Sequence, residues 1–259
     1  MPSPFQTIRH LNRYSEIVRT FLRHGFGFVF DQLNLERQPI RRRMRLKGQE
    51  KSSTAPEDLA AHFRMALEEL GPTFIKLGQI LSTRPDILPP AFIFEMSKLQ
   101  DMVTPIPWEM IREVLVQELG QDPEQVFQVI DHQPMAVASL AQVHPATLMD
   151  GQEVVVKVQR PGIWDVIETD LEIISILASR AQSTRWGQIY DFTSMAADFA
   201  ANLRGELDYR REGRNADRFR KNFAGETHLY IPYIYWNLSS QRVVVLERIH
   251  GIKIDDVPA

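Results

Sequence analysis

Residues 134–162 read Pro134-Met135-Ala136-Val137-Ala138-Ser139-Leu140-Ala141-Gln142-Val143-His144-Pro145-Ala146-Thr147-Leu148-Met149-Asp150-Gly151-Gln152-Glu153-Val154-Val155-Val156-Lys157-Val158-Gln159-Arg160-Pro161-Gly162. Two apolar runs, Leu140 to Leu148 and Val154 to Val158, flank Asp150-Gly151. Asp-Gly between such runs is a strong hairpin signal. Three valines precede Lys157, so its strand is expected to be buried on both faces. A buried ammonium needs an anion, either a carboxylate or a bound phosphate. Taken alone, the same lysine also fits an edge strand with its head reaching water.

The pattern extends in both directions. Val126 to Ile130 is β-rich, and Tyr230 to Trp236 and Arg242 to Glu247 are strand-like. Between the hairpin and the last two strands lie two helical stretches, Ile163 to about Gln182 and about Tyr190 to Phe223. Upstream, residues 51–125 read as helices. Ser53 or Thr54 caps one with Pro56 in its first turn, Gly71 stops it and Pro72 opens the next. Further helices cover Phe92 to Leu99 and Pro107 to Leu119. The fold class is α+β: a five-stranded antiparallel sheet with long helices, preceded by a helical extension. The expected boundaries are 1–55 for a basic arm and linker, 56–125 for the extension and 126–259 for the sheet-bearing part.

Composition excludes several classes. Without cysteine there are no disulfides, thiolate metal sites or Cys nucleophiles. A net charge of −3 argues against nucleic acid as a partner. No apolar run reaches the ~18 residues of a membrane span, and Met1 to His10 lacks a secretory pattern. A protein that is not secreted is expected, cytoplasmic or organellar. Charge is uneven: residues 1–50 carry +6, leaving −9 for the rest. Leu11, Tyr14, Ile17, Val18, Phe21 and Leu22 recur there at helical spacing among Arg13, Arg19 and Arg23. The stretch is either a basic amphipathic helix on a membrane surface or a helix packed on its own domain. Arg41-Arg42-Arg43 reads as an exposed linker.

A hairpin followed by a lysine on the third strand resembles the front end of a protein kinase, where that lysine pairs with a helix glutamate. The loop over the phosphates departs from the usual kinase: Ala136-Val137-Ala138-Ser139 has no glycine, and each alanine narrows φ/ψ. Further motifs make the resemblance specific. Lys76-Leu77-Gly78-Gln79 lies in the helical region, Glu206-Leu207-Asp208 precedes Tyr209-Arg210-Arg211-Glu212, and Val243-Val244-Val245-Leu246-Glu247 precedes Ile249-His250-Gly251. With Val156-Lys157-Val158-Gln159-Arg160-Pro161-Gly162 they make the chain, from about residue 57 to its end, similar to the UbiB (aarF-domain) atypical kinase-like family, which replaces the glycine-rich loop by an alanine-rich one. Val137 departs from the all-alanine form.

The resemblance implies a kinase-type small lobe and a UbiB-type atypical kinase-like ATPase supporting isoprenoid-quinone biosynthesis or membrane lipid homeostasis. The alternative is a non-catalytic nucleotide- or lipid-binding regulatory module. It implies that Ala136, Val137, Ala138, Ser139, Lys157 and Glu247 bind the nucleotide, and that Glu212 partners Lys157. Lys76 is implied to pair with Glu206 and Asp208, with Gln79 three residues on along the same helix. The implied cofactor is ATP or ADP with Mg. Its metal ligands and the catalytic Asp are expected in a second lobe absent from this chain, so no catalytic residue is assigned here. Asp191-Phe192-Thr193 and Asp198-Phe199-Ala200 resemble the metal-binding kinase triplet but lack its glycine and precede the last strands. Implied partners are the nucleotide, a membrane surface, lipid or quinone intermediates, and association through an exposed face of the lobe.

Overall fold

A computed structural model describes residues 4–32, 56–99 and 104–252. The expected cap at Ser53 or Thr54 and the linker at Arg41–Arg43 lie outside them. The chain forms two compact units, each built from two separated stretches: residues 1–101 with 164–203, and residues 102–163 with 204–259.

The first unit is helical. It contains α1 (Pro4–Arg23), α2 (Gly27–Gln32), α3 (Pro56–Leu70), α4 (Pro72–Leu81) and α5 (Pro90–Met96). The expected helix over Phe92 to Leu99 therefore starts earlier and stops earlier, because Pro90 sits at a first-turn position that needs no N–H. Ile17 of α1, Leu67 and Leu70 of α3, Phe74 of α4, Met96 and Leu99 form one core. Gly71, at φ 89°, makes the left-handed bend between α3 and α4. Arg13 fixes α1 from within: its Nε donates to Asp170 Oδ1 at 2.7 Å and a terminal nitrogen to the Leu70 carbonyl at 2.6 Å. Asp170 is fully buried and also accepts from Thr73 Oγ1 at 2.7 Å. Of the two readings of the basic arm, this geometry is that of the packed helix, with Leu11, Arg19 and Arg23 facing outward.

The second unit holds α6 (Trp108–Leu119), α7 (Pro123–Val126), β1 (Phe127–Ile130), β2 (Ala136–Val137), β3 (Ala141–Leu148) and β4 (Glu153–Gln159). The chain then returns to the first unit for the long α8 (Ile163–Gln182) and most of α9 (Phe192–Leu207), and α10 (Tyr209–Asn222) and β5 (Val243–Glu247) complete the second. The antiparallel sheet runs β1-β3-β4-β5, and β2 also pairs with β3. β1 lies against Ala146–Leu148 and β2 against Gln142–Val143 on the same edge of β3. Pro145 stands opposite the gap between them. Its carbonyl takes the Asp131 N–H at 2.9 Å, and its missing N–H falls where no ladder bond is needed.

Five strands were expected, and the fifth is a different one. Tyr230–Trp236 contributes only an isolated bridge, Ile234 to Leu246, while Ala136–Val137 of the loop forms β2. The single helix expected over Tyr190–Phe223 is two, broken at Asp208, whose φ/ψ of −95°/92° is that of an N-cap. The compact units also cross the expected boundaries. α6 covers the sheet, burying Ile111, Val114 and Leu115 against Val154, Val156 and Val158, so it belongs with the strands. Residues 164–203 go with the N-terminal helices instead, through Ile173 and Asp170.

Candidate functional site

β4 alternates from Glu153 to Val158 and ends on the buried Gln159. Val154, Val156 and Val158 are buried under α6, while Val155 and Lys157 lie on the opposite, half-open face. The expectation of burial on both faces is corrected: α6 covers one face fully, while on the other Tyr209 of α10 packs with Ala141, Ile234 and Val244 and leaves Lys157 half-open. Lys157 sits between Val143 of β3 and Val244 of β5 in register. Its side chain is 29% exposed.

Lys157 Nζ donates to Glu212 Oε2 at 2.7 Å. It also lies 4.7 Å from the centroid of the Tyr209 ring, where the π face favours a cation. Both partners come from the first turn of α10, at positions three apart, so one helix face presents them together. Asp208 starts that turn by accepting the Arg210 N–H at 3.1 Å. Its second oxygen holds Arg214 at 3.3 Å. Tyr209 is buried, and its hydroxyl has no partner among the described residues. Burial raises its pKa, and the charges of Glu212 and Glu206 add to the rise.

The glycine-free loop is braced rather than free. Ala138 donates its N–H to the Ala141 carbonyl at 2.9 Å and accepts from Arg160 Nε at 3.2 Å. Arg160 reaches on to the Thr104 carbonyl at 2.7 Å. Ala136 and Val137 are committed to β2. Ser139 is buried, and its Oγ has no partner among the described residues.

The remaining expected site residues are placed as follows. Glu247 ends β5, and its carboxylate accepts from the Tyr230 hydroxyl at 2.6 Å and the Tyr233 N–H at 3.1 Å. Its N–H is committed as well, donating to the Tyr233 carbonyl at 2.9 Å. Lys76 and Gln79 are half-buried on α4 of the first unit, and Gln79 Nε2 donates to the Leu99 carbonyl at 3.3 Å. Glu206 is the penultimate residue of α9, within the second unit and two positions before the N-cap Asp208. Asp191 is an N-cap: it accepts from the Ser194 N–H at 3.0 Å and from the Thr193 and Ser194 hydroxyls at 2.7 Å each. These bonds hold its pKa down at about 2. Among the described residues, no group of three His, Asp or Glu side chains is arranged to hold a metal ion. Sequence reasoning missed Tyr209 and Arg160. The spacing of three to Glu212 was the available signal for Tyr209; nothing local pointed to Arg160.

Residues 98–259 match the model of the ABC1 atypical kinase-like domain. The chain is 46% identical over 198 residues to the "Probable protein kinase UbiB" of Marinobacter nauticus, covering 76% of this chain and 36% of that protein. The protein of that name from Pseudomonas aeruginosa is 43% identical, over 76% of this chain and 37% of its own length. An uncharacterized Synechocystis protein, slr0889, is 36% identical over 94% of this chain and 57% of itself. The chain thus spans little more than a third of the UbiB relatives it matches. Among solved structures, Rv3197 of Mycobacterium tuberculosis, determined in complex with erythromycin, aligns with a TM-score of 0.53 and 27% identity, over 73% of this chain and 48% of that one.

Proposed function

Because the chain belongs to the ABC1 atypical kinase-like domain family, we propose that its sheet-bearing unit is a nucleotide-binding small lobe in which Lys157 takes a phosphate of ATP or ADP. The observation that carries this reading is the 2.7 Å Lys157–Glu212 pair on the half-open face of β4. Glu212 and the Tyr209 ring fix the ammonium, and its exposed side stays available to an anion.

The residues present fit the group. One cation is held in place but not enclosed, and the Ser139 hydroxyl at the end of the alanine-rich loop is an uncommitted donor. A bound Mg nucleotide supplies a polarised phosphoryl group and the counter-charge of the metal. This chain's own part is to bind and orient: Lys157 against a phosphate, Ala136–Ser139 over it, and Glu247 at the strand end nearest the base. In the whole protein we assign this lobe to a UbiB-type kinase-like ATPase supporting isoprenoid-quinone biosynthesis or membrane lipid homeostasis. Lys76 is proposed to act with Glu206 and Asp208, and a double-mutant cycle between Lys76→Ala and Glu206→Ala reads that coupling directly.

The test is calorimetric titration of MgADP and MgATP into wild type and Lys157→Met. A charge-assisted bond to phosphate is worth about 1.5–3 kcal/mol, so about a tenfold or greater loss of affinity is expected. Equal affinity in both proteins, with the variant folded, would remove Lys157 from the site.

A further inference from the structure

The helical unit encloses a second feature that has nothing to do with Lys157. A cavity of about 610 Å³ lies among α1, α3, α4, α8 and α9 and opens to one side. Three helices turn apolar stripes into it. Phe192, Met195, Ala196 and Phe199 of α9 stand at i, i+3, i+4 and i+7, as do Ile174, Leu177, Ala178 and Ala181 of α8. Phe74 and Leu77 of α4 close a third side. The alanines at 178, 181 and 196 are what leave the space. Leu77 is the second residue of Lys76-Leu77-Gly78-Gln79, so an occupant touches that motif's helix directly.

The polar lining is sparse and uneven. Apart from the Trp186 indole N–H, only Arg84, Thr184, Asp198 and Asn202 bring polar side-chain atoms there. Arg84 is already clasped by Asp86 at 2.7 Å, and the Thr184 hydroxyl donates to the Ala181 carbonyl at 2.7 Å. Asp198 and Asn202 remain, one turn apart on the exposed border of α9. They can accept from and donate to a single small head group, and the Asp198 carboxylate disfavours an anionic one. Val29, Ile80 and Trp186, between 36% and 44% exposed, form an apolar mouth. The cavity is open at its mouth, so water enters unless an apolar occupant excludes it, and the lining offers that water few partners. A 150 Å³ cavity holds one benzene, so the space suits roughly 24 carbon atoms.

We infer that the helical unit binds a neutral single-chain amphiphile, an acyl or prenyl chain of about 20 carbons ending in a hydroxyl, with its chain against α4, α8 and α9 and its head at Asp198 and Asn202. The nucleotide reading is not needed for this and does not fail with it.

The probe is geranylgeraniol, measured on the full chain by displacement of the dye N-phenyl-1-naphthylamine. Stoichiometric displacement is expected, with hexanol and ionised palmitate at least about tenfold weaker. Ala178→Phe and Ala196→Phe, made separately, fill the space. Each should weaken geranylgeraniol at least about tenfold while leaving Tm at or above wild type. A diazirine-bearing analogue should label peptides within residues 174–199 of the wild-type protein, which needs no variant to fold. Absence of displacement, equal displacement by palmitate, unchanged affinity in both folded variants, or labelling confined to other peptides would each overturn the inference.

Discussion

Lys157 and Glu212 stand closer to function than to stability. Their side chains are 29% and 44% exposed, so water screens the pair and competes for both ends. Such pairs contribute about 0.2–1 kcal/mol. Glu212→Gln is therefore expected to shift urea unfolding by less than about 1 kcal/mol while weakening MgADP about tenfold, because the ammonium loses the group that aims it. Calorimetry and denaturant titration on the same preparation check the two halves. A large stability loss with unchanged ADP affinity would make the pair a structural bridge. The pairing of Lys157 with a glutamate was legible only through motif order. The half-open face was not legible, because Val-Val-Val reads the same on a strand covered on one side or on two. What decides is α6, which lies about 40 residues upstream and covers only the side of Val154, Val156 and Val158.

Helix starts and stops were legible wherever Gly and Pro act locally. Gly71 with Pro72, Pro107 and Gly120 bound α3, α4 and α6 as the sequence suggests. Tertiary partners were not. Gly78 on α4 is the clearest case: a Cβ there would stand 2.2 Å from Leu99 Cδ1 and 2.8 Å from Leu67 Cδ1. Gly78→Ala should cost about 1–3 kcal/mol by overpacking despite alanine's better helix propensity, and a chemical melt would show it. A stabilised variant would mean the leucines move aside freely. On α9 the Asp191 cap makes a pH-dependent contribution. Its folded pKa of about 2 lies below the usual value near 3.9, so its support is complete above about pH 4 and is lost as pH falls through about 2. The Tm gap between wild type and Asp191→Ala should then narrow between pH 5 and pH 2. A gap that stays constant would assign the effect to the Thr193 and Ser194 hydroxyls alone. The failed strand over Tyr230–Trp236 has a similar cause. Its β-prone residues are drawn into single contacts with Glu247 and Val245 rather than a ladder.

At the scale of the whole molecule, the chain is two units, each with its own core, woven by a path that leaves the helices at residue 101 and returns to them for residues 164–203. No boundary drawn along the sequence could show this, because the buried contacts of Asp170 with Arg13 and Thr73 span separations of 157 and 97 residues. Arg13→Ala would leave the fully buried Asp170 carboxylate with Thr73 as its remaining partner, at a cost of about 3 kcal/mol. Hydrogen exchange should show α1 and α8 opening together in that variant while the sheet keeps its protection; uniform exchange across both units would contradict a separate helical core.

The central claim is that Lys157 faces a nucleotide phosphate, and an acyl-phosphate derivative of ADP tests it at that atom. The lysine Nζ attacks the acyl carbonyl, an amide forms and ADP leaves with its phosphate. Peptide mapping of the full chain should find Lys157 acylated and protected by excess ADP. Acylation that passes over Lys157 for other lysines, or that excess ADP does not prevent, would contradict the assignment.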